Sequence, residues 1–250
     1  EPLKMLEGLV EPPSFNLRNA VMVRKHVHAT VLTALFKMLR DEQLPGMELE
    51  QLKEVLGVCF PRLIKPYLFT AEGFVRPEPL DVSSLGVVVK RYEAQLIDAV
   101  HAAFRQGWPA EDQAVVAPEQ ISRLVAGLSD ELQEVVKRLY ARLQWALGQL
   151  NRLQKVAQNK GALDADEEAL RYRCERLVKK LKGETRRRAS QAEGVDDINT
   201  YGVLAAEGFL PGYGLDTGAI TVTHEAPRYG SDIQDWELRR STSVAIREYV

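Results

Sequence analysis

Leu132-Gln-Glu-Val-Val136-Lys-Arg-Leu139-Tyr-Ala-Arg-Leu143-Gln-Trp-Ala146-Leu-Gly-Gln-Leu150-Asn-Arg-Leu153-Gln-Lys-Val-Ala157 decides the fold of this chain. Its apolar positions 132, 136, 139, 143, 146, 150, 153 and 157 step alternately by four and three. That is the a/d rhythm of a helix offering one narrow seam to a partner. The pattern opens near Ser129 and stops at the polar run Gln158-Asn-Lys-Gly161. Asp164 then starts a second helix, with Glu167 completing a D-x-x-E capping pattern. Behind it Leu170, Cys174, Leu177 and Leu181 repeat the same steps. Two helices joined by so short a connection run antiparallel, and an arm of about 30 residues reaches about 45 Å. The fold class expected is mainly α: a helical bundle with a long antiparallel coiled-coil hairpin and a small mixed C-terminal segment. The domains expected are a helical accessory domain over 1–128, the hairpin over 129–190, and a mixed α/β segment over 191–250 leading towards a C-terminal module.

Outward from the hairpin, the signals are shorter. Glu11-Pro-Pro-Ser14 reads as an extended linker. Asn19 can cap a helix running to about Leu39, whose β-branched residues lower its propensity and imply that burial holds it. After the Leu44-Pro-Gly46 turn, a helix is expected from roughly Glu48 to Val58, broken by Pro61 and Pro66. Residues 67–87 read as loop. Ser83-Ser84 can cap a helix over about 87–106, and Pro118 fits the first turn of another. Past Gln191, Asn199 or Thr200 can cap a short helix ending at Gly208, a C′ glycine. A strand is expected at Ala219–Thr223, and Asp235 to Val250 reads as another helix or strand, Trp236-Glu-Leu-Arg-Arg240 leading into Val244-Ala-Ile-Arg-Glu-Tyr249.

Composition excludes several classes. The 250 residues are 45% hydrophobic and 27% charged, ordinary for a globular chain and unlike a fibrous or wholly disordered one. Two cysteines cannot build a disulfide framework, so a reducing, cytoplasmic setting is the expectation. No apolar run reaches the length of a membrane span. The ends, without an initiator Met or a polar tail, fit an expectation that this is a piece of a longer chain. The sequence has no G-x-x-x-x-G-K-[ST], no DExH box and no G-x-S-x-G, so no complete active site is offered. The patch Asp164-Ala-Asp-Glu-Glu168 reads as the acidic first turn of a helix. Cys59 and Cys174 stand alone, and Cys174, on the seam, reads as a packing residue. His26 and His28 lie about 200° apart on a helix and cannot chelate one ion together. No catalytic, cofactor-binding or metal-binding residue is expected within these residues.

Charge is uneven where the whole chain is nearly neutral, at −2. Residues 137–163 hold six Lys or Arg and no acid, and 129–190 hold fifteen basic against nine acidic residues. The candidates for nucleic-acid or partner contact here are Lys137, Arg138, Arg142, Arg152 and Lys155, with Trp145 off the seam and free to stack on a base or dock a neighbour. A solvated coiled-coil surface explains the same charges.

Two further stretches carry a resemblance. The first is Pro13-Ser-Phe-Asn-Leu-Arg-Asn-Ala-Val-Met-Val-Arg-Lys-His-Val-His-Ala-Thr30. The second is Tyr201-Gly-Val-Leu-Ala-Ala-Glu-Gly-Phe-Leu-Pro-Gly-Tyr213, with Arg239-Arg240 and Ala245-Ile-Arg-Glu-Tyr249. Both resemble the region following the second motor domain in large bacterial DEAD/DEAH-type superfamily 2 helicases, including those of DISARM-like phage-defence systems. Ala20 stands where that pattern has Pro, Tyr213 is followed by Gly-Leu-Asp rather than the family's run, and no cysteine cluster is present. The resemblance implies a non-catalytic accessory region of an ATP-dependent DNA helicase or translocase, with ATP and Mg bound in motor domains outside it. It implies DNA and a partner subunit as partners, with Tyr213, Arg239, Arg240 and Arg247 near one or the other. It also implies that the His26/His28 helix packs on the motor core, with its His side chains satisfied at a helix–helix contact. A coiled-coil interaction scaffold with no nucleic-acid role is the competing expectation, and a standalone enzyme with an unfamiliar site is a weaker third.

Overall fold

Asn19 begins the first helix as a side-chain cap: its Oδ1 accepts from the backbone N–H groups of Val21 and Met22, at 3.0 and 3.3 Å. In the computed structural model, which describes residues 19–105, 117–183, 199–212, 219–224 and 236–241, this helix is α1, Ala20–Arg40. Val23, Val27 and Val31 face inward, while Val21 is exposed, and Val27, Val31 and Leu35 are fully buried. At about 1.5–3 kcal/mol for each such side chain, that burial outweighs their weak helix propensity.

The described residues divide into two compact units. The first gathers those of Glu1–Cys59, Val82–Glu131 and Phe209–Pro211; the second gathers those of Phe60–Asp81, Leu132–Gly208 and Gly212–Val250. In the first unit α1 is followed by α2 (Gly46–Cys59), α4 (Ser84–Arg91), α5 (Glu93–Arg105) and α6 (Pro118–Ala126). The short helix α3 (Lys65–Leu68) falls in the second. α1 packs against α5 and α6, and α2 against α4. Pro118 sits at the first helical position of α6, where its missing N–H costs nothing.

The helix expected over 87–106 is two helices. α4 starts three residues early, at Ser84, and stops at Tyr92, whose φ and ψ of −106° and 18° are not helical. The Tyr92 hydroxyl donates to Glu48 on α2 at 2.9 Å, and the ring is buried. Anchoring that ring on the α2–α4 side bends the chain before α5. Ser83 takes the N-cap position of α4 without a side-chain cap bond, so the Ser-Ser capping expectation is corrected. The loop expected over 67–87 is corrected at both ends. Pro66 initiates the turn of α3 rather than breaking the chain, and Tyr67, Leu68 and Phe69 are buried.

The second unit is built on α7, Leu128–Lys160, whose first residues count with the first unit. Gly161, at φ 81°, ends it, and α8 (Ala165–Lys182) follows. Asp164 accepts from the Glu167 N–H while the Glu167 side chain accepts from the Asp164 N–H, a complete capping box. Gly183, left-handed at φ 72°, closes α8. Seam residues Leu132, Val136, Leu139, Leu143, Ala146 and Leu153 of α7 are buried, as are Cys174 and Leu181 of α8. Towards the start of α7, other segments supply cover. The Tyr140 hydroxyl lies 2.9 and 2.7 Å from the carbonyls of Arg76 and Pro77, and Gln133 donates to the Leu80 carbonyl at 3.1 Å. α8 packs on α3, with Lys182 Nζ 5.8 Å from the Phe69 ring centre. Close backbone approaches between α7 and α8 are few, where a two-stranded zipper makes them at every seam position. Two helices separated by a break at Gly161 are present where the two arms were expected.

α9, Thr200–Ala206, starts at the Asn199 cap, whose Oδ1 accepts from the Gly202 N–H, and Gly208 stands beyond its end at φ 80°. Its start is tied to residues 62–63 by the Thr200 N–H on the Arg62 carbonyl (3.1 Å) and by the Leu63–Asn199 bridge. β1 (Ala219–His224) and β2 (Trp236–Ser241) pair antiparallel, with Thr221 opposite Arg239 and Ile220 opposite Arg240. The strand expected from Ala219 is present, and of the two readings of Trp236–Arg240 the strand is observed. Architecture is mainly α, with this one two-stranded sheet among the described residues.

Candidate nucleic-acid interface

Two places concentrate the residues singled out by sequence. The first lies wholly in the first unit and joins the two stretches that carry the family resemblance. His28, 1% exposed on α1, has its Nδ1 3.0 Å from the carbonyl oxygen of Phe209, and its ring lies 4.6 Å from the Phe209 ring. A carbonyl only accepts, so Nδ1 carries the proton and the neutral Nε2 is a bare acceptor. That Nε2 is buried with no hydrogen-bond partner among the described residues. Burial pushes the imidazole below its ordinary value of 6.5; the Phe209 bond and Glu131 oppose this, while Arg24 adds to it. Arg24 and Glu131 pair at 3.1 Å. His26 is half-buried where His28 is fully buried, as their opposite directions on a helix require. Nothing here converges on a reacting atom; the site is a packed joint.

The second place is the outward face of α7 in the second unit. Arg138, Arg142, Trp145, Gln149 and Arg152 step by four, three, four and three, a stripe about 100° round the helix from the buried seam. Trp145 is 54% exposed, an uncommon state for so large an apolar ring. Arg152 Nε donates to Gln149 at 3.1 Å along the stripe. Lys137 lies to one side, paired with Glu134 at 2.8 Å, and Lys155 has no ionic partner among the described residues. Arg138 and Arg142 are engaged by Glu207, just past α9. Arg142 Nη1 and Nη2 donate to the two carboxylate oxygens, the latter at 3.2 Å, and Arg138 Nε lies 3.5 Å from Oε2. Glu207 itself escaped sequence reasoning. It sits 65 residues from Arg142 in the chain, and no local pattern marks it as their partner.

Of the other candidates, Arg239 and Arg240 stand at adjacent positions of β2, in register with Thr221 and Ile220. Tyr213 and Arg247 lie outside the described residues. Both cysteines are buried and outside any disulfide, and burial raises the Cys174 thiol above its ordinary 9.0. No group of His, Cys, Asp and Glu that could hold a metal ion occurs among the described residues. An open groove of about 230 Å³ between α2 and α4 is lined by Leu52, Val55, Val87 and Val88, and on its walls Tyr92 pairs with Glu48 and Arg91 with Gln51. Among the described residues no helix is long and apolar enough to cross a membrane. No protein-family model, curated protein or solved structure matches this chain.

Proposed function

We propose that this chain is a non-catalytic accessory region of an ATP-dependent DNA helicase or translocase, acting in antiviral defence, that lines a DNA path and docks a partner subunit. Motor domains encoded outside these residues would bind ATP and Mg and supply the energy, and the assembly would work in the cytoplasm. The α7–α8 hairpin, pairing as an antiparallel coiled coil, would project the contact face. The observation that carries the reading is the stripe on α7: an exposed tryptophan between arginines, on a stretch without acids. Cations there attract phosphate, and an indole stacks on any base without regard to sequence. The contact of His28 with Phe209 lends support of a different kind. It joins the His-Val-His-Ala and Gly-Phe-Leu-Pro segments through which the chain resembles the helicase group.

Engagement of Arg138 and Arg142 by Glu207 favours the second reading, a protein-interaction scaffold in which the basic face is already neutralised from within. Titrating a labelled DNA oligonucleotide with the 250-residue chain at low and moderate salt separates the two. The DNA reading predicts binding that weakens steeply with salt, and that R152Q/K155Q weakens further at every salt concentration. Absence of binding, or equal binding by that variant, leaves the scaffold.

A further inference from the structure

Glu207 occupies a place that suits a phosphate. Its side chain is only 10% exposed, while the arginines that hold it are about half exposed, Arg138 at 48% and Arg142 at 54%. Arg142 takes both carboxylate oxygens through two guanidinium nitrogens. Arg138 approaches the same oxygen pair through Nε and the Glu207 carbonyl through Nη2, both at 3.5 Å. A phosphodiester offers the same fork two anionic oxygens at similar spacing. Arg138 and Arg142 also continue the stripe of Trp145 and Arg152, so an anion replacing Glu207 would lie on one track with them.

We propose that Arg138 and Arg142 form a phosphodiester-binding fork for the DNA backbone, which Glu207 holds closed by intramolecular competition. This rests on the DNA reading of α7 given above. Glu207 acts as a tethered stand-in for phosphate. Anchored past α9, it is present at the fork at high effective concentration and suppresses contact with stray polyanions. A backbone already seated on Trp145 and Arg152 brings its next phosphate to the same place, so strand binding and release of Glu207 occur together. Release carries the Glu207 carboxylate from 10% exposure into water, while the half-exposed arginines exchange one anion for another.

The test uses the full 250-residue chain, a labelled single-stranded oligonucleotide, and affinities measured across a salt series. Variants are E207Q, E207D, R138Q/R142Q and the triple change, each checked for an unaltered circular-dichroism melt. With the fork open, E207Q binds about 3- to 10-fold tighter than wild type, and its log affinity falls more steeply with log salt, by about one to two in slope. E207D, which keeps the charge on a shorter arm, falls between them and secures the reading if E207Q melts early. The triple variant loses the gain. A gain that survives in the triple variant, or wild-type affinity in both E207Q and E207D, overturns the fork while leaving DNA binding through Arg152 and Lys155 intact. No binding by any variant removes the fork and the DNA reading together. Inorganic phosphate at matched ionic strength leaves the E207Q gain in place; if it abolishes the gain, the fork serves free phosphate and not a strand.

Discussion

His28 is held neutral by what surrounds it. Its Nδ1–H donates to the Phe209 carbonyl, Nε2 is buried without a partner, and the charged groups facing it are Arg24 on the same helix and Glu131 at the start of α7. A proton arriving on Nε2 would be a buried N–H with no acceptor. Because burial lowers the folded-state value below 6.5, the unfolded chain binds the extra proton first. Stability is therefore full above about pH 6.5 and falls as the pH drops below it, by up to about 1.4 kcal/mol per pH unit from this group. Thermal melts of wild type and H28Q between pH 7.5 and 5.5 check this. Gln cannot titrate, so H28Q should lose less stability over that range. The His-x-His spacing told which residue would be buried only in the sense that both could not be. That the buried one would meet a residue 181 positions away had no local signal. Cys174 was easier to read, since its seam position implied burial. Iodoacetamide should leave it unmodified in the native chain and label it readily in urea.

At the scale of elements, legibility followed the strength of the local code. Asn19, Pro118, Asp164 with Glu167, and Asn199 each carry a side-chain or ring chemistry that a helix start requires, and each marks a helix start in the structure. Removing the carboxylate in D164A should cost about 1 kcal/mol, read from a urea melt followed by helicity. The α4–α5 break was not legible, because the apolar spacing runs on through Tyr92, whose hydroxyl bonds to another helix 44 residues away. The seam of α7 was legible as a buried face, whereas what covers it was not. Periodicity reports that a face is apolar and cannot say whether a coil partner or residues 76–80 lie over it. Leu153, fully buried towards the far end of α7, should cost about 2–5 kcal/mol as L153A; a near-neutral result would mean that α7 and α8 do not share a packed interior there.

At the scale of the whole molecule, the sequence-distant pairings carry the most information. Residues 209–211 join a unit otherwise made of 1–59 and 82–131, and Glu207 meets Arg142 across 65 residues. Such pairings depend on the path of the complete chain, and so the basic stripe was visible in the sequence while its internal counter-charge was not. The stripe itself is the centre of the functional account, and Trp145 reports on it directly. With Trp108 and Trp236 changed to Phe, the fluorescence of Trp145 can be followed while single-stranded DNA is added and then displaced with salt. The account predicts quenching on addition and recovery as salt rises, as the ring stacks on a base and is released. Emission that stays constant through the titration, whether DNA binds elsewhere on the chain or not at all, contradicts it.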